Sequence, residues 1–191
     1  HGEAAGASQP HAHTQIVALP VTPLTLAIEL QSAMKHFAEK ERCLFCDIMN
    51  QEVRENRRII QENDLFIAFA PYASRFPFEV TVMPKKHAHD FREVGDGEMA
   101  SLAAILQDVI LRIKIGLHDP AYNIMIHTSP NPNTWTPRPT HWNTIRFDWH
   151  WHIEIFPRLT SVAGFEWGTG FFINPTPPEQ AADVLRSIEL E

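Results

Sequence analysis

The stretch Phe147-Asp-Trp-His150-Trp-His152-Ile-Glu154-Ile-Phe-Pro-Arg-Leu159 alternates in chemistry from one residue to the next. Successive side chains of a β-strand point to opposite faces, so His150, His152 and Glu154 are expected on one face and Trp149, Trp151, Ile153 and Ile155 on the other. One face is core and the other carries groups able to bind a metal or a proton. Upstream, residues 59–61, 65–69 and 78–83 are rich in β-branched and aromatic residues and are punctuated by Pro71, Pro77 and Pro84, which predicts an antiparallel meander. Residues 122–127 form another expected strand, and residues 15–18 a short β-like one. Apolar residues at helical spacing predict helices over 24–42 and 97–117, and a last one over 177–190 with Thr176 as N-cap and Pro177 at its first position. Four prolines within 130–145 predict a loop. The expected fold class is α+β, an antiparallel sheet flanked by helices.

Composition narrows the function. With 191 residues and 21.8 kDa the chain suits one compact unit. Sixteen Lys and Arg against 23 Asp and Glu leave a net charge of −7, which argues against a nucleic-acid partner. No run approaches the roughly 18 apolar residues of a membrane span, so no membrane partner is expected. Two cysteines do not make a secreted disulfide scaffold, and a cytoplasmic location is expected. The chain opens His1-Gly2-Glu3 without a methionine, which reads as the later part of a longer polypeptide.

The outlier is histidine, with 11 residues. His11-Ala-His13-Thr-Gln15-Ile16 can be laid over His150-Trp-His152-Ile-Glu154-Ile155, a weak repeat suggesting two related halves. On an extended strand His11, His13 and Gln15 would share a side. His13 could then attack a phosphate and Gln15 donate to its oxygens, while Gly6, Ala7 and Ser8 let backbone N–H groups approach a diphosphate. The alternative is a surface strand with solvated histidines. Cys43-x-x-Cys46 is half of a zinc site, which His87 and His150 would complete; a buried reduced pair or a redox pair are the alternatives. Glu29, His127, His152 and Glu154 remain, either as a second metal cluster or as core polar pairs. His36, His89, His118 and His141 are expected at the surface.

Taken together these residues resemble the galactose-1-phosphate uridylyltransferase family of the histidine-triad superfamily. Its His-Pro-His-x-Gln signature is matched by His11-Ala-His13-Thr-Gln15, with Ala12 in place of proline. Pro77-Phe-Glu79, Met83-Pro-Lys-Lys-His87, Met125-Ile-His127-Thr-Ser-Pro130 and Gly164-Phe-Glu-Trp-Gly-Thr-Gly170 running on to Asn174 also look familial. The resemblance implies that residues 1–23 end a first half, residues 24–42 connect, and residues 43–191 form a second, histidine-triad-like half.

It also implies uridylyl transfer between a UDP-hexose and a hexose 1-phosphate through a covalent nucleotidyl-His13, with Gln15 favouring transfer over hydrolysis. His11 would bind a zinc whose other ligands are absent from this sequence. Zinc is implied at Cys43, Cys46, His87 and His150. Iron is implied at Glu29, His127 and His152, although Glu154 stands where the last histidine of that pattern would be. Sugar 1-phosphate would meet Phe165, Glu166, Gly168, Thr169 and Asn174, in a homodimer that shares its active sites. Competing functions are an ADP-sugar phosphorylase or adenylyltransferase, a histidine-triad hydrolase, and a non-catalytic zinc-stapled module.

Overall fold

The computed structural model describes residues 1–9, 11–17, 19–131 and 142–190. Five strands, β1 (Ile59–Glu62), β2 (Phe66–Phe69), β3 (Val80–Pro84), β4 (Tyr122–His127) and β5 (His152–Pro157), form one antiparallel sheet in the order β1-β2-β3-β5-β4. The first three make the expected meander. β5 then enters between β3 and β4, pairing Thr81 and Met125 with Glu154, and His127 with His152.

Among the described residues six helices flank the sheet: α1 (Leu24–Lys40), α2 (Leu44–Glu55), α3 (Asp96–Gly116), α4 (Ile145–Asp148), α5 (Gly164–Thr169) and α6 (Pro178–Arg186). On α3, Leu102, Ile105, Val109 and Ile113 recur every three to four residues and bury one stripe. With Ala182 and Leu185 of α6 they cover Ala68, Val82, Ile153 and Ile155 of the sheet and Trp151 just before β5. The opposite face is closed by Met49 and Phe45 of α2 over Ile59, Ile67, Phe69 and Met83, and by Leu30 and Ala33 of α1 over Trp149. Covered on both faces, β2 and β3 are buried throughout, whereas edge strand β4 is largely exposed. No helix among the described residues is long and apolar enough to cross a membrane.

Buried Arg58 fastens the α2 side to α6. It donates to Glu52, Glu55 and Glu179 and lies 5.3 Å over the ring of Tyr72. Burial works against its charge, but the carboxylates outweigh that and raise its pKa further.

Several expectations need correction. Residues 11–17 are exposed coil, not a strand; Ile16 is 96% exposed, and a lone extended segment has no partner for its backbone groups. Ala18 lies outside the described residues, as does most of the expected loop over 130–145. The end of that range already enters α4. β5 begins at His152, so Trp149 leaves the alternation and packs under α1 instead of joining Trp151. The N-cap of α6 is Pro177 with Pro178 at its first position, one residue later than expected. Helices α2, α4 and α5 have no counterpart among the expected helices.

Candidate active site and metal centres

The first residues form a 3-10 turn, Glu3–Ala5, held against the sheet edge. The backbone nitrogen of His1 donates to the Tyr122 carbonyl, and Asn123 Nδ2 donates to that of Ala5. Gly2 has φ +80, and a Cβ there would lie 2.6 Å from Ala121 Cβ, so only glycine fits. Gly6, at φ +84, closes the turn with its N–H on the Glu3 carbonyl.

Between this turn and the 11–17 coil lies a cavity of about 540 Å³, lined by Gly6, Ala7, His13, Gln15, Tyr122 and Asn123 among others. His13 is exposed, and its Nδ1 faces the His11 carbonyl at 3.3 Å. A ring nitrogen facing a carbonyl carries the proton, which leaves Nε2 with a free lone pair. Ser8 is exposed outside this lining, and His11 belongs to none of the donor clusters among the described residues.

The donor atoms of Cys43, Cys46, His87 and His150 lie within 4.8 Å of one another. Cys43 is the N-cap of α2 and Cys46 its third residue, so both thiols sit on one turn; His87 follows β3 and His150 precedes β5. Nδ1 of each histidine is 3.4 Å from Cys46 Sγ. Tetrahedral zinc, with Zn–S about 2.3 Å and Zn–N about 2.0–2.1 Å, separates sulfur from nitrogen by about 3.6 Å. The donor set and spacing fit that ion.

The surroundings suit it as well. His87 Nε2 is 2.9 Å from the Arg146 carbonyl, which fixes the proton there and turns Nδ1 toward the sulfurs. Buried His150 has no hydrogen-bond partner on Nε2 among the described residues, a desolvation cost that a metal bond at Nδ1 would offset. The Cys43 thiol donates to the Asp148 carbonyl at 3.2 Å; the neighbouring Cys43 side chain holds the Cys46 pKa down, while Cys46 and burial push that of Cys43 up.

On the same face of the sheet, Glu29 of α1, His127 of β4, and His152 and Glu154 of β5 form a second cluster within 4.8 Å. His127 Nδ1 is 2.9 Å from Glu29 Oε2, and its Nε2 is 3.6 Å from Glu154 Oε2. Burial lowers the pKa of His152, and the neighbouring His127 lowers it further. For His127 burial works downward too, but Glu29 outweighs it and the net shift is upward.

The 165–174 segment is not part of the His13 cavity lining. Glu166 accepts from the Ala163 N–H, Thr169 Oγ1 donates to the Phe165 carbonyl, and Gly168 lies exposed on α5. Asn174 spends its amide on the Ser74 and Phe76 carbonyls. Phe165 is 54% exposed. Among the histidines expected at the surface, His36 and His89 are half-buried, His36 facing Asp47 at 2.9 Å; His118 is exposed, and His141 lies outside the described residues. Sequence reasoning missed Tyr122 and Asn123 as cavity walls, and Arg75, whose Nη2 is 2.8 Å from Glu154.

Residues 29–191 match the family described as galactose-1-phosphate uridyl transferase, C-terminal domain. An ADP-glucose phosphorylase of Arabidopsis thaliana is 38% identical across 99% of this chain and 50% of its own length. A galactose-1-phosphate uridylyltransferase of Thermotoga maritima is 31% identical across all of this chain and 58% of its own. The chain therefore spans about half the length of these relatives. The crystal structure of an Arabidopsis thaliana ADP-glucose phosphorylase with bound ADP-glucose superposes with a TM-score of 0.86 at 36% identity, covering 99% of this chain and 57% of that one. A histidine-triad protein of Mycobacterium smegmatis shares the fold, with a TM-score of 0.51 at 21% identity over 76% of this chain and 91% of that one.

Proposed function

The chain belongs to the galactose-1-phosphate uridyl transferase family, and from that premise we propose that it transfers a nucleotidyl group from a nucleoside diphosphate hexose through a covalent adduct on His13. The observation that carries this is the shared cavity of His13, Gln15, Gly6 and Ala7, with the free lone pair of His13 on Nε2. Nε2 attacks the α-phosphorus, a P–N bond forms, and the bond to the bridging oxygen breaks. The sugar 1-phosphate leaves with that electron pair.

The leaving group is weakly basic and requires no strong acid. The adduct keeps its proton on Nδ1, where the His11 carbonyl supports the imidazolium. Gln15 donates to the phosphoryl oxygens without titrating. A second sugar 1-phosphate, or another phosphate, then attacks phosphorus and frees the imidazole.

For the donor base, 38% identity to the ADP-glucose phosphorylase, against 31% to the uridylyltransferase, puts ADP-glucose first and UDP-hexose second. Zinc held by Cys43, Cys46, His87 and His150 would cross-link α2 to the one end of the antiparallel β3–β5 pair where β3 finishes and β5 begins, and would supply no chemistry at phosphorus. The homodimer implied by the resemblance is supported by the exposed aromatic run Phe165, Trp167 and Phe171.

The test is isotope exchange between labelled glucose 1-phosphate and ADP-glucose or UDP-glucose. Exchange with ADP-glucose is expected to be faster, and His13→Asn should lower it by roughly 10³-fold or more while leaving the circular dichroism unchanged. Equal exchange in the variant would remove the proposal.

A further inference from the structure

The second cluster does not fit the iron that the resemblance implies, and the misfit comes from a residue outside it. Arg75 Nη2 is 2.8 Å from Glu154 Oε2 and 3.2 Å from Glu79 Oε1, and the guanidinium lies 4.9 Å over the ring of Phe156. Its loop is pinned. The N–H groups of Arg75 and Phe76 donate to Glu79 Oε2 at 2.6 and 3.2 Å, and Asn174 Nδ2 donates to the carbonyls on either side, those of Ser74 and Phe76. The guanidinium is thus a fixed and permanent charge.

We propose that Arg75 takes the place of a metal ion in the Glu29, His127, His152 and Glu154 cluster, which works as a metal-free polar network tying α1 to β4 and β5. The Glu154 oxygen that faces His127 Nε2 at 3.6 Å is the one to which Arg75 donates. An ion bonded there would sit within a few ångströms of the guanidinium and be repelled by it. The histidines themselves are not the obstacle: His127 and His152 engage Glu29 and the His150 carbonyl through Nδ1 at 2.9 and 3.1 Å and keep Nε2 toward Glu154 and Glu29, at 3.6 and 3.9 Å, so the opposition to an ion comes from Arg75. A histidine at position 154 would leave Arg75 with Glu79 alone, whereas Glu154 gives it a second and closer counter-ion. It follows that removing Arg75 should open a divalent site, because three carboxylates (Glu29, Glu79, Glu154) and two imidazoles then remain without their cation.

The experiment loads purified chain with Fe(II) under anaerobic conditions, removes loose metal and counts iron and zinc by mass spectrometry. Wild type, the Glu29→Gln/His127→Asn double variant and Arg75→Ala are compared. Total metal per chain is expected to be equal in wild type and the double variant, and about one equivalent higher in Arg75→Ala. An equivalent present in wild type and lost from the double variant would overturn the proposal, as would a folded Arg75→Ala that gains nothing. Should Arg75→Ala fail to fold, the first comparison decides alone. Because the readout is the difference owed to this cluster, it is independent of what the cysteines hold and of nucleotidyl transfer.

Discussion

His13 owes its proposed role to a single contact, its Nδ1 proton on the His11 carbonyl, which leaves the Nε2 lone pair free. Gln15 is the second residue on which the chemistry turns. Removing one preorganised donor to a developing phosphoryl charge costs about 10²–10³ in rate, so Gln15→Ala is expected to slow exchange by that factor with an unaltered pH profile, measured by the same isotope assay. A smaller residue matters no less. Gly2→Ala would place a Cβ against Ala121 in a backbone conformation that alanine resists, and should loosen the turn that walls the cavity. Titration calorimetry is expected to show weakened ADP-glucose binding with a nearly unchanged unfolding midpoint; unchanged affinity would contradict the proposed placement of the nucleotide.

Elements were legible where they carry their own periodicity. The alternation around His152 identified β5, the apolar stripe of residues 102–113 identified α3, and the prolines delimited the meander. Helix α2 carries a weaker signal, because its N-cap Cys43 makes no side-chain cap and its face toward the sheet is marked by little more than Phe45 and Met49, four apart. Two element-level expectations follow. Arg58→Met leaves Glu52 buried without its partner, and should destabilise the fold by about 3–5 kcal/mol in urea unfolding. Asp90, which caps the Phe91–Glu93 turn, has its pKa held down chiefly by Arg92. A lowered carboxylate pKa gives stability that is present above about pH 4 and fades as pH falls through the native value. Asp90→Asn should therefore be less stable than wild type near neutrality, with the difference closing in acid.

At the scale of the molecule, the α+β class and the two donor clusters could be read in the sequence, because ligand residues recur at strand and helix-turn spacing. The arrangement of the N-terminal segment could not, since its shape depends on Ala121 and Asn123, more than a hundred residues away. Arg75 gave no signal either, because its meaning lies in Glu154, 79 positions on. If the cysteine cluster holds zinc, chelation should lower the unfolding midpoint of wild type by several degrees and leave a Cys43→Ser/Cys46→Ser variant unmoved, because a ligand bound only to the native state adds its binding energy to stability.

The most direct test of the central claim is to mix the chain with ADP-glucose or UDP-glucose, quench in alkali, and locate the added mass by peptide sequencing. One nucleoside monophosphate per chain is expected, acid-labile and attached to His13. A chain that turns over the nucleotide sugar while residue 13 stays unmodified would contradict it.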